Sequence, residues 1–219
     1  MRIFSTRKIE PELLDHLPPD EARPNLEDLT RINRYFGGHS VILDTLNQVA
    51  RPADSFSLLD VGAASGDTAR LLQAAYPHAH VVNFDYNETN IGAAPRPKVI
   101  GNAFRLPFAP RSFDYVMCSL FLHHFQDEEV VGLLRGFNRI ARRAVLACDL
   151  ERSLFPYIFL PATKYFFDWK RVTVHDGMIS VRAAFSKSEL AALAKEAGLK
   201  NCALRVHRPA FRISLVASK

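Results

Sequence analysis

Two adjacent histidines, His123 and His124 in "SLFLHHF", follow an apolar strand-like run. An imidazole there titrates near neutrality and can take a proton from a phenol or an activated carbon. A plain structural role at the start of the next helix competes with that reading. Upstream, "LLDVGAASGD" (58–67) stops an apolar run at Asp60 and crowds Gly62, Ala64, Ser65 and Gly66 into a turn. Small residues in such a turn let a ligand approach the backbone closely. A second apolar run, "VVNFD", closes on Asp85, where a carboxylate can accept hydrogen bonds from both hydroxyls of a ribose.

The spacing of the glycine turn eliminates two ligands. A phosphate loop requires G-x-x-x-x-G-K-[ST], and no lysine follows Gly66. A dinucleotide turn requires G-x-G-x-x-G, whereas the chain has Gly62, Ala64 and Asp67 at those places. An acid at the helix start repels a pyrophosphate, yet Asp60 and Asp67 suit an amino group or a sulfonium. An adenosine without phosphates fits the turn best.

The elements that position these residues alternate. Strand-like runs "SFSLLDV", "HVVNFD", "PKVI", "FDYVMCSL" and "RAVLACDL" are separated by helical patterns starting near Gly66, Asn87 and Asp127, which predicts βα units and a mostly parallel sheet. The Pro-rich link between the third and fourth runs predicts no helix. Leu26, Leu29, Ile32 and Phe36 recur at helical spacing after an Asn25 cap, and a second helix is predicted from about His39 to Ala50. Near the other end, Ser186 and Glu189 form a capping box, Gly198 stops the helix, and "CALRVH" and "AFRISLVAS" read as an antiparallel hairpin. The predicted fold is α/β and Rossmann-like: a mostly parallel seven-stranded sheet with helices on both faces and a C-terminal antiparallel hairpin. Residues 1–50 form an N-terminal helical arm and 51–219 the main domain, with an inserted lid at about 151–184.

Four stretches in order, "LDVGAASGD", "FDYN", "GNAFRLPF" and "SFDYVMCSLFLHHF", resemble the motifs of class I S-adenosylmethionine-dependent methyltransferases. The resemblance covers about Phe56 to Leu150. Within that family the chain is most similar to the small-molecule branch of ubiquinone and menaquinone biosynthesis and of secondary metabolism. It implies S-adenosylmethionine as cofactor, S-adenosylhomocysteine as product, and Asp60, Gly62, Ala64, Gly66, Asp85, Tyr86, Asn102, Ala103 and Ser119 as cofactor contacts. Two departures stand out. Ala64 replaces the middle glycine, which is harmless if the backbone there is extended, and Asn102 replaces an aspartate while keeping a carbonyl oxygen for the adenine amino group.

The stretch "SLFPYIFLPATKYFFDW" (153–169) carries seven aromatics broken by Pro156, Pro161 and Lys164, too interrupted for a membrane span of ~20 apolar residues. It reads as helical pieces roofing an apolar pocket, with Tyr157, Tyr165 and Trp169, and from the following segment His175 and Arg182, as substrate contacts. Core packing, a dimer face and a membrane-surface contact for a lipid-like substrate are alternatives, and for His175 a simple Asp176–Gly177 turn. Cys118, Cys148 and Cys202 form no C-x-x-C pair, so reduced, buried thiols and no zinc cluster are expected. The opening residues lack the apolar core of a signal peptide, which predicts a cytoplasmic protein; a monomer or homodimer is expected. Net charge +5 and the cluster Arg135, Arg139, Arg142 and Arg143 keep an RNA methyltransferase as an alternative, beside a non-catalytic cofactor-binding subunit. The leading expectation is methyl transfer to oxygen or carbon of an apolar aromatic, polyketide or quinone-like small molecule.

Overall fold

The computed structural model describes residues 4–219. Its centre is one sheet built from β1 (Phe56–Val61), β2 (Ala79–Asp85), β3 (Lys98–Ile100), β4 (Phe113–Ser119), β5 (Ala141–Leu150), β6 (Cys202–His207) and β7 (Arg212–Ser218). The strand order is β3-β2-β1-β4-β5-β7-β6, parallel from β3 through β5, with β7 antiparallel to both β5 and β6. Successive residues of β1, Leu58 and Leu59, are both fully buried and belong to apolar clusters on opposite faces. A strand covered on both sides needs such a continuous apolar run.

One face is covered by α2 (Gly38–Leu46) and α3 (Asp67–Ala75), which bring Val41, Ile42, Leu46 and Leu72 onto Leu58 and Met117. The other is covered by α5 (Asp127–Ile140) and α8 (Lys187–Glu196), which bring Leu133, Leu134, Phe137 and Leu190 onto Val116 and Leu215. The Ser186–Glu189 capping box is present, with each side chain accepting from the other's backbone N–H. Between β3 and β4 lies only a short 3₁₀ turn, Ala103–Arg105, as the Pro-rich link predicts.

The strand order reverses between β1 and β4. In an open α/β sheet that reversal leaves a crevice at the carboxyl ends of the strands. Above it sit α1 (Pro19–Tyr35), α6 (Leu154–Phe167) and α7 (Arg171–Ala183), with α4 (Glu88–Ile91) at the side. Buried Asp28 joins α1 to α7 by accepting from Lys170 N at 2.8 Å and Thr173 Oγ1 at 3.0 Å. Asp176 of α7 accepts from the backbone N–H groups of Leu13 and Leu14 at 3.1 and 2.9 Å, anchoring the segment before α1.

Several local expectations need correction. The first helix starts at Pro19, not after Asn25, whose amide donates to Glu21 O inside the helix at 2.8 Å. The second ends at Leu46. Pro161 does not break α6; it only forgoes its own bond to the carbonyl one turn back. Asp176 and Gly177 lie within α7 and make no turn. A Cβ on Gly177 would fall 2.2 Å from Leu160 Cδ1, so the glycine is where α6 and α7 approach. Cys118 and Cys148 are buried, but Cys202 is exposed on the edge strand β6. The basic cluster staples the fold: Arg142 and Arg143 pair with Asp114 at 3.1 and 3.2 Å, while Arg135 and Arg139 donate to backbone carbonyls of Glu196, Phe108 and Leu106. The arginines on which an RNA partner was to depend are thus each engaged with the chain itself. No helix among the described residues is long and apolar enough to cross a membrane.

Candidate active site

The turn after β1 is held from below by β2. Gly62 N and Ala63 N both donate to Phe84 O, at 2.9 and 3.2 Å. Asp85 completes the lock: Oδ2 accepts from Ala64 N at 2.8 Å and Oδ1 from Asn87 N at 2.9 Å. A carboxylate has about four acceptor positions, so each oxygen keeps one for a ligand hydroxyl. Ala64 is not extended as expected but has φ 43°, in the left-handed region that costs a residue with a Cβ about 1–2 kcal/mol. Gly62 and Gly66 share positive φ, at 75° and 78°.

Beneath the turn, Asp60 is fully buried and its Oδ2 has no hydrogen-bond partner. Burial first, then the charges of Asp85 and Asp67, push its carboxyl up to about 7. A buried, partner-poor carboxylate with such neighbours is relieved by a cation.

A cavity of about 990 Å³ opens from this turn. One end is walled by Gly62, Ala64, Asp85, Tyr86, Asn102 and Ser119. The opposite wall is apolar, with Leu26, Leu29 and Phe36 from α1 and Phe155, Phe159 and Leu160 from α6. Phe36 packs edge-on against Phe159 with ring centres 5.0 Å apart, tying the two helices together across this wall.

Between the two ends lies a charged cluster. His123 Nδ1 is 2.6 Å from Asp149 Oδ1, and Asp149 Oδ2 accepts from the backbone N–H groups of Leu122 and His123. On the far side, Glu12 Oε1 lies 3.6 Å from His123 Nε2 and 3.9 Å from His124 Nδ1. The two imidazoles stack with centres 4.3 Å apart, and Ser180 donates its hydroxyl to Glu12. Burial alone would lower His123, but the Asp149 carboxylate, its hydrogen bond and Glu12 overcome that and raise it to about 9. Burial would likewise raise Glu12, yet His123, His124 and Ser180 hold it down at about 2. Asp149 is also lowered despite burial, chiefly by the His123 charge. His123 therefore does not titrate near neutrality; it is an imidazolium between two carboxylates.

The profile of the methyltransferase-domain family matches residues 59–147. A demethylmenaquinone methyltransferase of Thermotoga maritima is 32% identical over 114 residues, covering 50% of this chain and 46% of that protein. One from Shouchella clausii is 28% identical over 186 residues, covering 74% and 77%. The chain thus spans about half the length of the first relative and three quarters of the second. A plantazolicin methyltransferase crystallised with S-adenosylhomocysteine superposes with a TM-score of 0.70 at 12% identity, covering 94% of this chain and 92% of that one, a likeness of fold. Residues 59–147 thus match the methyltransferase domain, and the fold is that of the class I S-adenosylmethionine-dependent methyltransferase family. S-adenosylmethionine is the cofactor of this family.

The structure brings Gly62, Ala64, Asp85, Tyr86, Asn102, Ala103, Ser119, His123 and His124 to one cavity. Asp60 and Gly66 do not line it. Asp60 lies below, and a Cβ on Gly66 would meet Pro95 Cδ at 2.6 Å, so that glycine serves packing. Asn102 Oδ1 accepts from Phe104 N at 2.8 Å, capping the 3₁₀ turn, so the adenine amino group would have to share that oxygen. The expected substrate contacts are not at the cavity wall. Tyr157 packs edge-on to Phe4, Trp169 is buried with its N–H on Thr163, and Tyr165 faces outward. His175 pairs with Asp176 at 2.9 Å and Arg182 with Glu10 at 3.4 Å; neither His175 nor Arg182 lines the cavity, although their partners Asp176 and Glu10 do. Sequence reasoning missed Asp149, which closes a buried strand as Asp60 and Asp85 do and was open to the same inference. It also missed Glu12, which lies in a Pro-rich charged stretch with no periodicity.

Proposed function

We propose that this methyltransferase moves a methyl group onto the oxygen, or the adjacent ring carbon, of an apolar phenol, enol or quinol. The cofactor supplies a methyl already activated on a positively charged sulfur, so the protein contributes mainly placement and proton handling. Asp85 would hold the ribose hydroxyls, Asn102 and Ala103 would border the adenine, and Asp60 would face the cationic end of the cofactor through the turn.

The observation that carries the reading is His123, held between Asp149 and Glu12 and opening into an apolar cavity shared with the cofactor turn. A base works best when its pKa approaches that of the proton donor. An imidazole raised to about 9 is close to a phenol at about 10 and far from an aliphatic alcohol. In its neutral form His123 would take the hydroxyl proton at Nε2 while Asp149 holds the opposite nitrogen, and Glu12 would steady the resulting charge. The apolar wall of Leu29, Phe36 and Phe159 would seat the ring and exclude water. The names of two relatives, both demethylmenaquinone methyltransferases, also point to a quinone-type ring.

The test is turnover with S-adenosylmethionine on naphthols, alkyl resorcinols and naphthoquinols, read as a 14 Da gain by mass, beside aliphatic alcohols and RNA. Transfer to the phenolic set is expected. Methylation of RNA alone, or of alcohols as well as phenols, would sink the assignment.

A further inference from the structure

Helix α6 is apolar on its outer side as well as toward the cavity. Leu154, Ile158, Pro161, Ala162, Tyr165 and Phe166 recur at three- and four-residue steps, all exposed, with Tyr165 at 92% and Phe166 at 85%. The helix contains no acid and a single cation, Lys164. A surface helix of a water-soluble domain keeps polar residues on that side; here the pattern is inverted. Tyr35, 68% exposed, ends α1 beside α6: the next residue, Phe36, packs edge-on to Phe167 at 5.4 Å.

Two further observations identify what covers the patch. Cations rim its C-terminal end: Arg34, Lys164, Lys170 and Arg171, against the single acid Asp168. Aromatic rings beside lysine and arginine are the composition of a helix lying in the headgroup layer of an anionic bilayer. The patch is also continuous with the cavity, because Phe155 is 59% exposed on the outside and lines the cavity on the inside, stacked on Phe211 at 4.7 Å.

We propose that the outer face of α6, with Tyr35, docks this methyltransferase on an anionic lipid surface, and that its acceptor is a lipid-borne phenol or quinol drawn from that surface past Phe155. The acceptor part rests on the function proposed above; the docking part stands on the patch alone. Lys164, Lys170 and Arg171 would supply the attraction to anionic headgroups, and the aromatic stripe would insert at acyl-chain depth.

Co-sedimentation with phosphatidylcholine vesicles containing ~30% phosphatidylglycerol, and with phosphatidylcholine alone, tests the docking. The parent should partition onto the anionic vesicles, and Ile158→Glu/Tyr165→Ser/Phe166→Ser should lower that partition ~10-fold or more. None of these three residues lines the cavity, so turnover on a short-chain soluble phenol should be unchanged in the triple variant. Absence of vesicle binding, equal binding to both vesicle types, or equal binding of parent and variant would overturn the proposal. So would a parent dimer that the triple variant converts to monomer, since a second copy would then cover the stripe. Failure of the parent on every soluble phenol would instead overturn the acceptor reading and leave the docking result standing.

Discussion

The imidazole of His123 and the carboxylate of Asp149 lie 2.6 Å apart and are both almost wholly buried. Strand β5 ends one residue beyond Asp149, and the 3₁₀ turn carrying His123 starts just past β4, so parallel pairing of β4 and β5 sets their separation. The backbone N–H groups of Leu122, His123 and Leu150 all donate to the same carboxylate. Asp149 is thus fixed before any ligand arrives, and His123 is oriented by it.

This arrangement sets the pH dependence of turnover. With His123 raised to about 9, only its neutral fraction can accept a proton, so kcat on a phenol should climb through neutrality, reach half its maximum near pH 9 and level off above it. Asp149→Asn preserves the shape and one acceptor oxygen, enough for the Leu122 and His123 N–H groups, but puts an amide NH2 where Oδ1 meets Leu150 N and His123 Nδ1, and it removes the charge that raises the imidazole. The rising limb should then shift toward lower pH while kcat falls ~10²–10³-fold. An unshifted profile in that variant would assign Asp149 a purely structural role.

The same group links folding to pH. Its folded value exceeds the unfolded value of about 6.5, so its stabilising contribution is complete below that pH and is lost as pH rises through about 9. Thermal melts of the parent should fall between pH 6.5 and 9, and those of His123→Gln should fall less.

Asp60 offers a second titration, near the turn rather than the base. Its folded value of about 7 lies above the ordinary carboxylate range, so its ionisation destabilises the empty fold progressively from pH ~4 to ~7. A sulfonium or ammonium near the turn favours the ionised form, and cofactor binding below pH 7 should therefore release a proton. Calorimetry in buffers of different ionisation enthalpy would detect that release, and affinity should rise with pH up to about 7. In Asp60→Asn both effects should vanish; their persistence would place the cationic end of the cofactor elsewhere.

Ala64 is a departure from the family pattern that carries a measurable cost. At φ 43° its Cβ is strained, while its N–H anchors Asp85 at 2.8 Å. Ala64→Gly relieves the strain but enlarges the entropy of the unfolded chain, leaving a net gain of about 0.5–1 kcal/mol. A 219-residue chain should gain about 1–4 °C in melting temperature, with cofactor affinity unchanged or tighter. A lower melting temperature would contradict the backbone geometry of the turn.

What the sequence disclosed and what it hid follow from range. The strands and the turn from Asp60 to Gly66 were legible because period, apolar runs and small residues are local properties. Ala64 was misjudged, since a positive φ at alanine has no local signature. His123 was legible as a candidate, but its charge state depends on Asp149 and Glu12, which are 26 and 111 residues away along the chain. The weight of the aromatic segment is legible in its composition, but the direction of its rings is not: Tyr157, Tyr165 and Trp169 do not line the cavity. A run of six rings on α6, with Trp169 just beyond its end, does not reveal which side faces the cavity until α1 is packed against it.

That placement yields a sharp comparison. Phe36 and Phe159 meet edge-on and both line the cavity, so Phe36→Leu and Phe159→Leu should raise KM for a phenolic acceptor by ~10-fold while cofactor affinity stays within about twofold. Tyr157 and Trp169 hold the roof in place instead: Tyr157 packs on Phe4, and Trp169 is wedged among Phe36, Phe167 and the Arg31 guanidinium. Trp169→Leu should therefore lower the melting temperature, since replacing a fully buried indole with a smaller side chain costs about 2–4 kcal/mol, and should alter KM less than either phenylalanine change. Steady-state kinetics and melts on the same four proteins decide it. A KM effect larger in Trp169→Leu than in Phe159→Leu would return the indole to the acceptor site.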